Sequence, residues 1–291
     1  MSSIALDHGR RVSPAAQWAR TLAGFALVLA CTAAIGHRYA MVETLAFFWV
    51  LALVAAIAIL SLLCAVVGFR RLWTHGDKAG KASFAATLLA SIVLIPFAVA
   101  GYLAYTTPPL HDVTTDLLDP PPLRRATLER TAQMNTVAPY SAEMVAVQRE
   151  AYPDVTGRRL DASMERAVAA VQAVVASYGW RARTPWPTEF ETGSEIILEL
   201  EAPSYILRLP ADAALRLTEE DESIFVDLRL NSRYGRYDLG ENARRIRLFM
   251  NDVDAEFARQ SLLIIDIPAS SDGEDTAQRG FAVRNHQAAV R

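Results

Sequence analysis

Three long apolar runs occupy the first third of the chain, beginning at Trp18, Thr44 and Ser83. A helix needs roughly 20 mainly apolar residues to cross the hydrocarbon core of a bilayer, and each run has about that length or more. The second run extends from Thr44 to Phe69 without a charged residue. The pattern therefore predicts a transmembrane region of three helices over residues 18–105, and the lipid bilayer is the first expected partner.

The basic residues that flank these runs predict the orientation of the chain. They precede the first run, or fill the loop between the second and third runs: Arg10, Arg11, Arg20, Arg70, Arg71, Lys78 and Lys81. The loop between the first and second runs has Arg38 alone. Cytoplasmic loops are enriched in arginine and lysine, so residues 1–17 are expected in the cytoplasm, and the chain after Tyr105 outside it.

This orientation predicts a multi-pass protein of the bacterial inner membrane with a periplasmic C-terminal domain. A cleaved signal peptide is an alternative interpretation of the first run, because it has a basic flank and small residues near its end. The two later runs would hold the protein in the membrane in either case.

The chain after the third run begins with a proline-rich, acidic segment. Residues 106–122 are typical of an extended linker that leads away from the membrane. A domain over residues 123–267 is expected to follow, with residues 123–156 wrapping its surface. Apolar positions at helical spacing predict a helix that starts near Asp161 and ends near Gly179.

Period-two alternation then predicts strands. It runs through EIILELE (195–201), YILRLP (205–210), ALRLT (214–218) and IFVDLRL (224–230). In the last of these, one face carries only apolar side chains, from Ile224, Val226, Leu228 and Leu230. The other face carries polar ones, from Asp227, Arg229, Asn231 and Arg233.

The last predicted helix follows a short turn. Asp238 is expected as its N-cap, with Glu241 three residues later in a capping-box arrangement, and Gly235 and Gly240 allow a tight turn. The order of elements is a helix, several strands and a second helix. We therefore predict an α+β two-layer domain, in which one antiparallel sheet packs against two helices. Residues 268–291 lack periodicity and are expected to be disordered.

Composition narrows the classes of function. Both cysteines, Cys31 and Cys64, lie in the apolar runs, so the outer domain has no thiol for a disulfide or a nucleophile. Lys78 and Lys81 are the only lysines, and the formal net charge is −3. Acidic residues outnumber arginines in the outer domain, which argues against a nucleic-acid partner.

Two motifs resemble a known family. HDVTTDLLDPP at His111–Pro121 and VDLRLNSRYGRYDLGENARRIRLF at Val226–Phe249 are similar to the opening and closing motifs of the bacterial family called domain of unknown function 1499. The resemblance covers about half of the chain. It implies an envelope-associated domain, and it implies no activity because the family has none assigned.

The arginines of the closing motif are the candidate binding residues. Arg229, Arg233 and Arg236 come from the strand end and turn, and Arg244 and Arg245 from the helix. Guanidinium groups beside a helix start suit a carboxylate or phosphate ligand. A structural network of arginine–carboxylate pairs explains the same residues, since Asp227, Asp238 and Glu241 lie nearby in the sequence.

Other chemistry has weaker support. His111, Asp112, Asp116 and Asp119 could hold a metal, but their spacing matches no closed zinc pattern, and neither metal nor cofactor is predicted. The sequence discloses no reaction. The preferred hypothesis is a periplasmic domain that binds an envelope protein or an anionic envelope ligand. A carboxylate-dependent hydrolase acting on envelope material and a structural subunit of a membrane complex are the alternatives.

Overall fold

The computed structural model describes residues 11–190, 193, 195–221 and 223–265. Within those ranges, three helices are long and apolar enough to cross a membrane. They are α1 (Pro14–Arg38), α2 (Thr44–His75) and α3 (Gly80–Thr106). The predicted three-helix membrane region is confirmed.

Small side chains let the three membrane helices pack closely. Ala19 and Ala23 of α1, Ala58 of α2 and Ala86 of α3 are fully buried in one cluster. The Ser61 hydroxyl of α2 donates a hydrogen bond to the Ala19 carbonyl of α1, at 2.8 Å. Without a hydrophobic force between helices in lipid, such close contacts and interhelical hydrogen bonds hold a bundle together.

The rest of the described chain forms an α+β domain with an antiparallel sheet. Its strands are β1 (Asp112–Thr114), β2 (Arg158–Leu160), β3 (Arg181–Ala182), β4 (Glu195–Glu201), β5 (Ala211–Glu220) and β6 (Ser223–Ser232). Its helices are α4 (Arg124–Leu128), α5 (Ala142–Ala151), α6 (Met164–Ser177) and α7 (Glu241–Ile265).

The described strands pair in the order β1-β6-β5-β4-β3, and β2 also pairs with β6. β1 and β2 follow one another along the same edge of β6, opposite residues 229–231 and 224–226 respectively. β5 and β6 pair along their full lengths, with Ala211 opposite Ser232 at the end nearest the membrane helices. The predicted fold class is confirmed.

Helices α6 and α7 cover the apolar face of the sheet. The core on this face includes Leu215, Leu228, Leu230, Val171 and Phe249, all fully buried. The alternation in β6 therefore places its apolar side chains as the sequence predicts. Burial of such side chains is the main stabilising term in a domain that has no cysteine of its own.

The polar face of the sheet is covered as well, by part of the segment that was expected to wrap the surface of the domain. The segment from Thr115 to Tyr140 lies on this face, where Leu123 and Ala126 pack on Ala214 of β5. The side chains of Asp212, Asp227 and Arg229 are consequently buried. A buried charge requires a partner, so this face consists largely of ion pairs.

Three local predictions need correction. Residues 112–114, expected in an extended linker, form β1 and are buried in the sheet, because their backbone pairs with β6. No strand forms at residues 205–210; residues 205–207 make a turn. Helix α7 begins at Glu241 rather than just after Asp238, since Leu239 and Gly240 have positive φ angles of 57° and 76°. The predicted disordered tail, residues 268–291, lies outside the described residues.

Candidate functional site

Arg229, the first of the predicted binding arginines, is engaged by a carboxylate inside the domain. Its Nε and Nη2 donate to the two oxygens of Asp112 at 2.9 and 2.7 Å, and both side chains are buried. The guanidinium also lies 5.6 Å from the ring centroid of Tyr140. This geometry leaves Arg229 no open face for a ligand.

Arg233 belongs to a cluster around Asp212 of β5. The Asp212 carboxylate, whose side chain is 1% exposed, accepts from Arg130 at 2.8 Å, Arg183 at 2.8 Å and Arg233 at 2.7 Å. Glu201 lies 3.7 Å from Arg233. Arg183 also pairs with Glu129 and, at 3.5 Å, with Glu201. The cluster is therefore a network of three guanidinium groups and three carboxylates.

Arg245 of helix α7 is buried without a carboxylate contact. Its Nη2 donates to the carbonyl oxygens of Ala202 at 2.7 Å and Pro203 at 3.3 Å, and its guanidinium lies over the ring of Trp180. Burial lowers the pKa of Arg245 to about 10, with Glu241 opposing the shift. Arg245 therefore holds the start of the β4–β5 loop (residues 202–210) against α7.

The two exposed arginines of the motif lie away from the buried network. Arg244 pairs with Glu241 at 3.5 Å on the surface of α7. Arg236 lies in the turn after β6, 6.0 Å from the ring of Tyr237. An exposed ion pair such as that of Arg244 and Glu241 contributes little to the stability of the fold. The anion-binding hypothesis for Arg236 and Arg244 stays a prediction.

The turn before α7 has the geometry expected for its glycines. Gly235 and Gly240 have φ angles of 88° and 76°, in the left-handed region that glycine adopts without steric cost. The Asp238 carboxylate accepts from the backbone N–H groups of Gly240 at 3.0 Å and Asn242 at 2.9 Å. Burial raises the pKa of Asp238, although these bonds oppose the shift. Asp238 thus occupies the helix start that an anion would otherwise use.

The acidic residues of the opening motif contact basic groups. Asp116 and Asp119 each lie 2.7 Å from Arg216, which also contacts Asp227 at 3.2 Å. Together with the Arg229 partner Asp112, this accounts for the three aspartates considered as metal ligands. No group of three or more His, Cys, Asp or Glu residues in the described part of the chain could hold a metal ion.

The carboxylates with raised pKa do not form a catalytic pair in an open cleft. Burial raises the pKa of Asp227, and hydrogen bonds from Thr115 and Arg216 oppose the shift. Asp227 and Asp238 are both buried, and protein groups bond their oxygens. A hydrolytic pair needs access to its substrate, which neither carboxylate has.

An open site lies where the membrane helices meet the α+β domain. A cleft of about 520 Å³ separates the α1–α2 turn from the sheet end formed by β4, β5 and β6. We call it the junction cleft. Its charged side chains are those of Arg38, Arg181, Arg208, Arg233, Glu43 and Glu201.

The junction cleft contains two arginines without a carboxylate partner. Among the described residues, Glu201 pairs with Arg181 at 3.0 Å, Arg183 at 3.5 Å and Arg233 at 3.7 Å. Arg233 also pairs with Asp212 at 2.7 Å. Neither Arg38 nor Arg208 has a carboxylate oxygen within 4.0 Å in that part of the chain. The cleft therefore has a net positive lining.

The backbone at Arg208 is strained. Its φ angle of 57° lies in the left-handed region, which costs a side-chain-bearing residue about 1 kcal/mol or more. Two hydrogen bonds close the loop around it, from Arg208 N to Ser204 O at 3.1 Å and from Leu209 N to the Ser204 hydroxyl at 2.9 Å. The loop thus holds a cationic side chain at a position that glycine would occupy more easily.

Sequence reasoning found one of the four cleft arginines, Arg233. Arg38 is the lone basic residue of its loop, and in the sequence it indicates only the orientation of the chain in the membrane. Arg208 was assigned to a strand, and Arg181 was not singled out. The cleft joins segments more than 160 residues apart, for example Arg38 and Tyr205, and no local pattern connects them.

Comparison with known proteins places the α+β domain in a family. Residues 112–253 match the model of the family described as protein of unknown function (DUF1499). The resemblance inferred from the two motifs is thereby confirmed, and the match extends from the start of β1 into α7. No curated protein and no solved structure matches this chain.

Proposed function

We propose that this membrane-anchored member of the DUF1499 family binds an anionic, phosphate- or carboxylate-bearing envelope ligand in the junction cleft. The observation that carries the proposal is the placement of Arg38 and Arg208, two cleft arginines with no carboxylate partner among the described residues. Guanidinium groups present paired N–H donors that match both anions.

The surrounding groups support an anion rather than a cation. Arg181 pairs with Glu201, and Arg233 pairs with Asp212 and Glu201. The positive charges of Arg38 and Arg208 are therefore the ones available to an anion. The cleft volume of about 520 Å³ is within the range of small-molecule sites. A headgroup-sized or sugar-phosphate-sized ligand would therefore fit without rearrangement of the sheet.

The position of the cleft bears on the source of the ligand. His37 and Arg38 end α1, and Thr44 begins α2, so one wall of the cleft is the turn between two candidate membrane helices. A phosphate held there would be at the depth of lipid headgroups. The same site is also open to a soluble anion, and the two sources require separate tests.

The proposal includes the cellular location. The excess of arginine and lysine before α1 and between α2 and α3 supports a cytoplasmic N-terminus and a periplasmic domain in the bacterial inner membrane. A reporter enzyme that is active only outside the cytoplasm, fused after residue 291, is expected to be active. An inactive fusion, with an active one when the reporter enters the α2–α3 loop, would reverse the orientation.

Ligand binding can be tested on the full chain in nanodiscs of neutral phosphatidylcholine. Inorganic phosphate or citrate is added in one set, and phosphatidylglycerol replaces part of the lipid in another, at constant ionic strength. Binding to the native state raises the melting temperature by mass action, which tryptophan fluorescence can follow. Stabilisation in the soluble-anion set indicates a free ligand, and stabilisation only by phosphatidylglycerol indicates a headgroup.

Two arginine variants make the test specific. Arg208→Gln is expected to weaken binding about tenfold or more, because a hydrogen bond to a charged group contributes about 1.5–3 kcal/mol. Arg259→Gln, which removes an exposed arginine of α7 that pairs with Glu256, should bind as the native chain does. Equal anion binding by both variants, or no stabilisation by any anion, would overturn the proposal.

A further inference from the structure

The β4–β5 loop exposes two large apolar side chains at its tip. Tyr205 is 84% exposed and Ile206 is 75% exposed, in the turn formed by residues 205–207. Single apolar residues on a protein surface are common. Two adjacent ones at the tip of a hydrogen-bonded loop are less so, and their surroundings indicate what covers them.

The loop is bonded to the end of the first membrane helix. Arg38 Nη1 donates to the carbonyl oxygens of Tyr205 at 2.8 Å and Ile206 at 2.6 Å, and His37 Nδ1 donates to that of Leu207 at 2.7 Å. Helix α1 has 25 residues, about 37 Å at the usual rise. It exceeds a hydrocarbon core of about 30 Å, so its last turn lies near the membrane surface.

Other exposed aromatic and apolar residues lie at the same membrane boundary. Tyr39 and Met41 are exposed in the α1–α2 turn, and Tyr102 and Tyr105 are exposed near the end of α3. Tyrosine is enriched at the membrane–water interface, where its ring contacts lipid and its hydroxyl contacts water. Tyr205 therefore belongs spatially with the interfacial residues of the spans.

We infer that the β4–β5 loop inserts Tyr205 and Ile206 into the lipid at the membrane face where α1 ends. Arg38 and His37 bond the backbone carbonyls of the turn, which removes the cost of taking those carbonyls away from water. The loop is thus a second attachment of the outer domain to the bilayer. This inference stands independently of anion binding in the junction cleft.

Site-specific labelling of the full chain tests the insertion. The two native cysteines, Cys31 and Cys64, are replaced by alanine, and a polarity-sensitive fluorophore is attached at Ile206→Cys in phosphatidylcholine vesicles. We expect emission shifted to shorter wavelength, quenching by lipids that carry a nitroxide near the headgroup, and several-fold weaker quenching by aqueous iodide than at a water-exposed site. Tyr205→Cys repeats the measurement at the adjacent position.

Leu118→Cys supplies the matched water-exposed control. Leu118 is 91% exposed, close in sequence to Asp116 and Asp119, which contact Arg216. Arg216 lies five residues along β5 from Ala211 at the cleft, about 17 Å at the usual strand rise. A label on native Cys31 alone is the reference within the membrane. Equal iodide access at positions 206 and 118 would overturn the inference.

Discussion

The Arg229 guanidinium and the Asp112 carboxylate form a buried two-point ion pair that joins β6 to β1, with distances of 2.9 and 2.7 Å. The two residues are 117 positions apart in the chain. Asn231 also donates to Asp112, at 2.9 Å, so the aspartate anchors the opening motif of the family to its closing motif.

Breaking this pair from one side should destabilise the domain strongly. We expect Asp112→Ala to lower the free energy of unfolding by about 3–5 kcal/mol, because Arg229 remains buried without its counter-charge. The double variant Asp112→Leu/Arg229→Met should recover much of that loss. Urea unfolding of the full chain in detergent, followed by tryptophan fluorescence, measures the three free energies. A double variant no more stable than Asp112→Ala would contradict the prediction.

Asp212 is expected to be among the most sensitive positions in the domain. It is the common partner of Arg130, Arg183 and Arg233, so Asp212→Asn leaves three guanidinium groups with much less negative charge. The expected loss is about 3–5 kcal/mol. Asp119→Asn is the control, since that side chain is 85% exposed and pairs with Arg216; its loss should be below about 1 kcal/mol. If urea unfolding gives similar losses of the free energy of unfolding for Asp212→Asn and Asp119→Asn, the prediction is wrong.

His111 should make the domain less stable as the pH falls below its ordinary pKa of 6.5. Burial lowers the pKa of His111, Arg130 adds to that effect, and Asp112 opposes it. The folded chain therefore binds fewer protons than the unfolded chain in the window below 6.5. Stability that is present above pH 6.5 is lost as the pH falls through the lowered pKa.

The variant His111→Gln isolates this contribution. Melting temperatures of the native chain and the variant, measured from pH 8 to pH 5, should diverge in slope, with the native chain falling more steeply. Asp227 and Asp238 have raised pKa values, so they lower the stability of the fold as the pH rises above about 3.8, which is opposite to the effect of His111. Both chains contain these two aspartates, so the comparison between the chains is not affected by them. Parallel melting curves would show that His111 does not contribute.

The sequence predicted the elements that local periodicity defines. Alternation in β4 and β6, and helical spacing in α7, depend on residues two to four positions apart, because burial on one face imposes that spacing. The three membrane helices depend only on length and hydrophobicity. These parts of the fold are confirmed within one to three residues at most of their ends.

β1 could not be recognised in the same way. Its three residues carry no periodicity, and Asp112 and Thr114 are polar although both are buried. They are stable there because Arg229, Asn231 and Gln148 supply hydrogen bonds from distant segments. A proline-rich, acidic segment with such partners has the local composition of a linker, which is the interpretation that the sequence favoured.

The arginines predicted from the sequence and those of the proposed cleft share one residue, Arg233. The turn after β6 does lie near the membrane helices, since Tyr234 contacts Phe48 of α2 at 6.2 Å between ring centroids. The predicted set contained Arg229, Arg244 and Arg245 beside Arg233 because these residues are close together in the sequence. The strand register and the helix direction separate them, and bring Arg38 and Arg208 to the cleft instead.

Replacing Arg208 by glycine separates a binding role from a structural one. The φ angle of 57° favours glycine, so Arg208→Gly should leave the free energy of unfolding unchanged or raise it by up to about 1 kcal/mol, after the entropic cost of glycine is counted. The same variant should lose anion-dependent stabilisation in nanodiscs, because the cleft loses a cation that has no carboxylate partner among the residues the structure describes. Urea unfolding without ligand and melting temperature with added phosphate or phosphatidylglycerol give the two readouts. A large loss of stability without ligand would mean that the Arg208 side chain holds the loop, and retained anion binding would mean that it is not a ligand contact.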